Sequence, residues 1–418
     1  MDDILIPPSG SAETSSPVIP AKKKRSDRLA ERLITASMNP KGGVSRSLAL
    51  LSAGHFMSDL YTSFVFILLP VWLHQFNQPF SSAGWLVFLR GACMAVFEPI
   101  GGYFADRTTK LLFPVGLALT ALAMSSVGSA PSYFILVLLI LVSTVGQSFF
   151  GPQAASEARK SSGNSRGFGL AIFLAGGTLG GAFGSIIIAS LVTAVDLRAT
   201  WLLLAPGLLI SGLLFKQFAA SIASVLKKDS PLYIFAGLKS RPLIALASVL
   251  LLRGGAETAI MVFLPILVDQ RGYGLIIAGA SVAIFKLFGA LGAILAGFLS
   301  DRRSWKPYAA LSFLISILIL YSVLKVEGWL ALVLVALLGF ILLSSSSYTL
   351  AVSQNLLPEK TSTAAGLVFS ISLLGGGLGS LVTGFLADFL GLETAVLTTG
   401  VIMSLGAAVA TLGIREHL

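Results

Sequence analysis

From Leu48 onward the chain is a succession of apolar segments, twelve of them, centred roughly on residues 60, 93, 119, 141, 181, 208, 254, 287, 315, 340, 375 and 403. Each approaches the ~20 residues that a helix needs to cross the hydrocarbon core of a bilayer. Charged residues make up 11% of the 418-residue chain, against roughly 25% in soluble domains, which excludes a soluble enzyme. Inside lipid only helices and closed barrels satisfy their own backbone polar groups, and apolar runs of this length select helices. The sequence therefore predicts an all-α polytopic membrane protein with twelve transmembrane helices.

The net charge of +10 would point a soluble chain toward nucleic acid. Here the distribution of charge sets topology instead, and no nucleic-acid partner is expected. The even-numbered loops hold Arg107, Lys110, Arg159, Lys160, Arg166, Arg302, Arg303, Lys306 and Lys360, whereas the odd-numbered loops carry only Arg198, Arg271 and Lys325. By the positive-inside rule both termini are cytoplasmic and the chain is a multi-pass protein of the cytoplasmic (inner) membrane. All five tryptophans, Trp72, Trp85, Trp201, Trp305 and Trp329, fall near span ends, as an interfacial aromatic belt requires.

Residues 1–46 read as a disordered basic cytoplasmic tail. Its first 20 residues are acidic and rich in proline and serine, without the apolar core of a signal peptide. Lys22-Lys23-Lys24-Arg25 suits the anionic cytoplasmic leaflet, at about 1 kcal/mol per basic residue, or is simply solvated. The longest polar gap runs from Lys216 to Arg241. It divides the spans six and six: an N-terminal bundle over 47–217, a cytoplasmic linker over 218–241 and a C-terminal bundle over 242–418.

A shift of 195 positions superposes the two halves without a gap. Pro70 falls on Pro265, Gln75 on Gln270, Asp106-Arg107 on Asp301-Arg302, and Gly180-Gly181-Ala182-Phe183-Gly184-Ser185 on Gly375-Gly376-Gly377-Leu378-Gly379-Ser380. Similar composition of apolar helices explains the glycines but not the loop Asp-Arg pairs. The glycines Gly176, Gly177, Gly180 and Gly184 of span five, with Gly375, Gly376 and Gly379 of span eleven, are candidate helix-packing positions, because small residues let two backbones approach closely.

Two parallel six-helix halves resemble the major facilitator superfamily, whose substrate site lies near the membrane midplane between the repeats. Gly102-Tyr103-Phe104-Ala105-Asp106-Arg107-Thr108-Thr109-Lys110 resembles that family's G-x-x-x-D-R-x-G-(R/K) loop signature, with Thr109 in place of the second glycine; Gly297 to Arg302 is a second copy. The resemblance implies a cytoplasmic gate of Gly102, Asp106, Arg107, Lys110, Asp301 and Arg302. There a carboxylate at one helix end would face the positive N-terminus of another. Within the superfamily three segments resemble the fosmidomycin-resistance proteins, exporters of a phosphonate antibiotic. They are His55 to Asp59 in span one, Phe149 to Arg159 in span four and Gly176 to Ser185 in span five. In span four Gly151 and Gln153 stand where that group has histidine and glutamate, and Ser185 replaces a proline.

Seven ionisable residues lie well inside spans: His55, Asp59, Arg90, Glu98, Arg253, Glu257 and Lys286. Facing lipid, seven charges would cost on the order of 20 kcal/mol, at roughly 3 kcal/mol each. They are therefore expected to border an aqueous cavity or one another. His55 and Asp59, like Arg253 and Glu257, are four apart and share a helix face. Arg90 and Lys286 occupy nearly matching repeat positions.

Arg90, Arg253, Lys286 and His55 are the substrate-binding candidates, since guanidinium grips a carboxylate or phosphonate bidentately. Asp59, Glu98 and Glu257 are the proton-coupling candidates. The bland alternatives are an intrahelical Arg253–Glu257 ion pair, a structural His55–Asp59 hydrogen bond and a polar contact at the Glu98-Pro99 kink.

The leading expectation is a secondary active transporter of a small anionic or amphiphilic solute, working by alternating access as a proton-coupled efflux protein of the antibiotic-resistance type. The alternatives are an importer of an organic acid, sugar or other metabolite, and a non-transporting scaffold or sensor on the same fold. No enzyme is expected: the chain shows no nucleophile elbow or phosphate loop, and His55, His74 and His417 are far apart. Cys93 is the single cysteine, so no disulfide, metal site or cofactor is expected. The expected partners are the solute, protons and the lipid bilayer, around a monomer.

Overall fold

The computed structural model describes residues 45–105, 112–162, 166–218, 241–300, 306–356 and 361–414. Within them the secondary structure is helical throughout. Span one comprises Arg46–Ile67 and Leu69–Gln75, bent by 46° at Leu68. Then follow span two (Phe80–Ala105), three (Leu112–Ser126), four (Tyr133–Lys160), five (Arg166–Ala194) and six (Leu204–Phe218). The second half holds span seven (Arg241–Gln270), eight (Gly274–Ser300), nine (Lys306–Lys325), ten (Trp329–Leu356), eleven (Thr361–Leu390) and twelve (Leu392–Gly413). Eleven helical segments are long and apolar enough to cross a membrane, and the bent pair makes twelve.

Side-chain caps start several of these helices. Ser45 accepts from the Leu48 N–H and Ser132 from the Ile135 N–H, satisfying backbone donors that the first turn leaves free. On the odd-loop side the connections are tight. Gly391, at φ 82°, alone separates spans eleven and twelve, in a conformation that a side chain would strain.

Proline acts differently at two repeat-related positions. Pro70 follows the break at Leu68, where its ring and missing N–H weaken the helix. Pro265 is absorbed within an uninterrupted span seven.

The spans pack with the symmetry of the repeat. Span one lies along span five as span seven lies along span eleven, and span two lies on four as span eight lies on ten. Two further seams knit the halves into one body: span two against eleven, and span five against eight. The seams meet on repeat-related residues. A methyl group on Gly84 would sit 2.6 Å from the Ser380 carbonyl oxygen, and one on Gly279 would sit 2.5 Å from that of Ser185. Gly84 and Gly279 are themselves 195 residues apart, as are Ser185 and Ser380. Each of these serine hydroxyls also donates to the carbonyl one turn back, Gly181 and Gly376, at 2.8 Å.

The outside of the bundle is apolar, with Leu318 at 69% and Ile402 at 61% exposure. Trp85, Trp201 and Trp329 are exposed near span ends, in keeping with the belt. Trp72 departs from it: fully buried, it packs the short helix after the bend into the core. Trp305, residues 1–44 and most of the linker, 219–240, lie outside the described residues.

Candidate functional site

None of the seven ionisable side chains is fully exposed. Arg90 and Arg253 are each 7% exposed, and His55, Asp59, Glu98, Glu257 and Lys286 are half-buried. They come from spans one, two, seven and eight, two from each half, and share one electrostatic neighbourhood. The Asp59 carboxylate acts on both Arg90 and Lys286. Lys286 also lies within range of Arg90 and Glu257, and Arg90 within range of Glu98.

Glycines of span five make this convergence possible. A methyl group on Gly177 would lie 2.6 Å from His55 Nε2 and 2.8 Å from Asp59 Oδ2, and one on Gly181 would lie 2.7 Å from Lys286 Nζ. Span eight thus sends its ammonium across to span five of the other half, 5.6 Å over the Phe66 ring of span one. The remaining stripe closes on helix backbone. Gly176 and Gly184 meet span one at the Ser52 carbonyl and the Leu60 Cα, and Gly180 meets Phe56. Gly375 and Gly379 meet span seven at Leu251 and Gly255, and Gly376 meets the Thr258 side chain.

The two i,i+4 pairs behave differently. Arg253 Nη1 donates to Glu257 Oε2 at 2.9 Å, a direct ion pair, and Nη2 reaches Ser372 Oγ at 3.5 Å. His55 is no hydrogen-bond partner of Asp59: its Nε2 stands 3.8 Å from Oδ1. Its ring stacks on Phe173 at 4.2 Å between centroids, and its Nδ1 lies 2.8 Å from the Phe173 carbonyl oxygen. That second contact fixes the ring and leaves the Asp59 carboxylate one-third open.

Arg90 is held by a neutral group. Its Nη2 donates to Gln147 Oε1 at 2.9 Å, and Thr62 Oγ1 donates to the same oxygen at 3.2 Å. Among the described residues neither Arg90 nor Lys286 forms an ion pair, whereas Arg253 does. The Nε of Arg90 and that of Arg253 are buried without a hydrogen-bond partner. Gln147, Ser372, Phe66 and Phe173 were not singled out by charge. The legible signal for Gln147 was an amide in the middle of an apolar span.

Two cavities lie elsewhere. One is an apolar gap among Ile260, Phe263, Leu320 and Leu338; the other is an open groove of Ser52, Phe56, Met57, Gly176, Pro206 and Leu209. Neither is lined by a member of the charged cluster. Of the expected gate, Asp106, Arg107, Lys110, Asp301 and Arg302 lie outside the described residues, and Gly102 is placed on the span-two helix. No group of three or more metal-ligating side chains occurs among the described residues.

Comparison with known proteins agrees with this architecture. The profile of the Major Facilitator Superfamily matches residues 51–379. The chain is 26% identical over 371 residues to the MFS-type transporter YfnC of Bacillus subtilis, covering 86% of this chain and 90% of the relative. It is 26% identical over 359 residues to the fosmidomycin resistance protein of Escherichia coli, covering 83% and 87%. Among solved structures, a bacterial homolog of the human lysosomal transporter Spinster, inward-facing and occupied, matches with TM-score 0.75 at 17% identity over 89% of this chain and 96% of that one. The nucleoside transporter NupG matches with TM-score 0.75 at 14% identity over 90% and 100%.

Proposed function

The chain belongs to the major facilitator superfamily, a family of transporters rather than enzymes, and on that premise we propose that it exports a small anionic or amphiphilic solute by proton-coupled alternating access. The observation that carries this reading is Arg90, a buried guanidinium hydrogen-bonded to the neutral Gln147 instead of a carboxylate. With Lys286 it offers one cation from each half near mid-depth, and neither has an ion-pair partner among the described residues. A carboxylate or phosphonate between them would supply the missing charge. The fosmidomycin resistance protein is named for a phosphonate antibiotic, which makes phosphonates the first cargo class to test.

In this reading Arg90 and Lys286 grip the anion, and Arg253 and His55 complete the wall. Asp59, with Glu98 and Glu257, carries the proton. The bundles 47–217 and 242–418 rock about the shared site, with both termini and the linker 218–241 in the cytoplasm, as the loop charges direct. The gate of Asp106, Arg107, Lys110, Asp301 and Arg302 belongs to that face. One charge moving through 100 mV is worth about 2.3 kcal/mol. With a negative interior, a monoanion therefore leaves downhill, and protons add driving force rather than supply all of it.

The test is uptake into energised inside-out vesicles from cells with and without the protein, using radiolabelled fosmidomycin and a panel of organic anions, with nigericin to dissipate the pH gradient or valinomycin with potassium to dissipate the potential. Uptake that depends on the protein and falls when the pH gradient alone is dissipated supports the proposal. Protein-dependent uptake indifferent to the pH gradient removes the proton coupling, and no uptake of any anion in the panel removes the anion reading.

A further inference from the structure

Span two begins at Phe80, immediately after Pro79, whose side chain offers no acceptor to the helix's first N–H groups. Those groups are capped from the other half of the protein. Phe80 N donates to Asp388 Oδ1 at 2.8 Å and Ser81 N to Asp388 Oδ2 at 3.2 Å. Asp388 lies in the last turn of span eleven. One turn earlier, Gly384 makes the approach possible, since a methyl there would lie 2.7 Å from the Phe80 carbonyl oxygen and 3.0 Å from the Ser81 Cα. Trp85 and Phe385 meet edge to face beside it, at 6.3 Å and 77°.

The arrangement has no twin. The Gly84–Ser380 contact next to it is repeated in the other seam as Gly279–Ser185, but 195 residues from Asp388 and Phe80 stand Thr193 and Leu275, neither of which carries a carboxylate.

We propose that Asp388 is a conformational latch, a trans helix cap that holds the two halves together at the odd-loop end. In the alternating-access reading, on which this inference rests, that end is the outer face, and it can open only as spans two and eleven separate. Separation leaves two helix N-terminal donors and a carboxylate to find water, and removes the carboxylate from the positive end of the helix. Closure of this face is therefore favoured by a bond that one seam has and the other lacks. The exposure of Asp388 moderates the effect, because water competes for the same groups.

The test measures separation at this end directly. The helix Leu69–Gln75 packs against span seven, and His74 and Gln270 are exposed on the two sides. Full-length protein carrying Cys93→Ser, His74→Cys and Gln270→Cys would be spin-labelled in phosphatidylethanolamine–phosphatidylglycerol nanodiscs, and the distance distribution recorded. Asp388→Ala is expected to shift the ratio of long to short distances by roughly three- to tenfold, the scale of a lost helix cap. Asp388→Asn, which keeps one acceptor oxygen without the charge, is expected to fall between.

Distributions indistinguishable from the parent in both variants overturn the latch. If Asp388→Ala does not fold, parent-like distances in Asp388→Asn alone overturn it. The measurement uses no cargo, so its outcome does not depend on the proposed solute or direction being correct.

Discussion

Arg90 and Gln147 are joined by a 2.9 Å hydrogen bond from Nη2 to Oε1, deep between spans two and four. The bond spends one of five guanidinium donors on an amide and leaves the positive charge without a contacting anion. Arg90→Gln is expected to remove anion transport, and Arg90→Lys to restore only part of it because a single ammonium lacks the planar fork. Gln147→Leu is expected to raise the apparent KM several-fold with a smaller change in maximal rate, because Arg90 loses its anchor but keeps its charge. Initial rates in vesicles over a range of anion concentrations check this.

Gly177 stands where any side chain meets the His55–Asp59 pair. Gly177→Ala places a methyl about where the imidazole and carboxylate already lie, at 2.6 and 2.8 Å. The expected result is transport reduced at least tenfold, with stability lowered by about 1–3 kcal/mol, the usual scale of overpacking. Transport assays with thermal unfolding of the purified variant separate the two effects. The same change at Gly151, where no neighbour lies within 4 Å of the added methyl, is expected to leave both near the parent values.

Arg253 and Glu257 form the direct ion pair of the cluster. Glu257→Gln strands a buried guanidinium and is expected to destabilise the protein by about 3 kcal/mol. The double change Arg253→Met with Glu257→Leu is expected to recover most of that stability, because paired removal leaves no uncompensated charge. Thermal unfolding of both variants checks this. Transport decides the role of the pair: a stable double variant that transports normally assigns it to structure alone, and one that binds cargo but no longer responds to the pH gradient places the pair in the coupling path.

Residue chemistry made much of this legible in advance, and geometry supplied the rest. Seven ionisable residues in lipid-length helices are expected to avoid lipid; Arg90 and Arg253 are buried and the other five are half-buried. The 195-residue shift paired Ser185 with Ser380, and the structure adds that each receives a glycine, Gly279 and Gly84, at its carbonyl. Isolated glycines in glycine-rich helices carry no such signal.

Gln147 escaped a reading organised by charge, because its energetic cost in lipid is smaller than that of an ion. The break at Leu68 was equally hidden. Pro70 and Pro265 are equivalent in sequence, yet only the first accompanies a break in its span. Trp72 lay near a span end like the other tryptophans, but the bend turned it into the core. Asp388 carries no such signal in the sequence, since its partners are backbone N–H groups some 300 residues away.

The central claim is that cations from both halves border one water-filled site reached alternately from either side. Its most direct test is thiol labelling of Arg90→Cys and Lys286→Cys, each in a Cys93→Ser background, with a membrane-impermeant maleimide applied separately to inside-out and right-side-out vesicles. The account predicts that both positions react with the impermeant reagent and that both are reached from the same face in the resting protein. Labelling of either position only by a lipid-soluble maleimide, or labelling of the two from opposite faces, would contradict it.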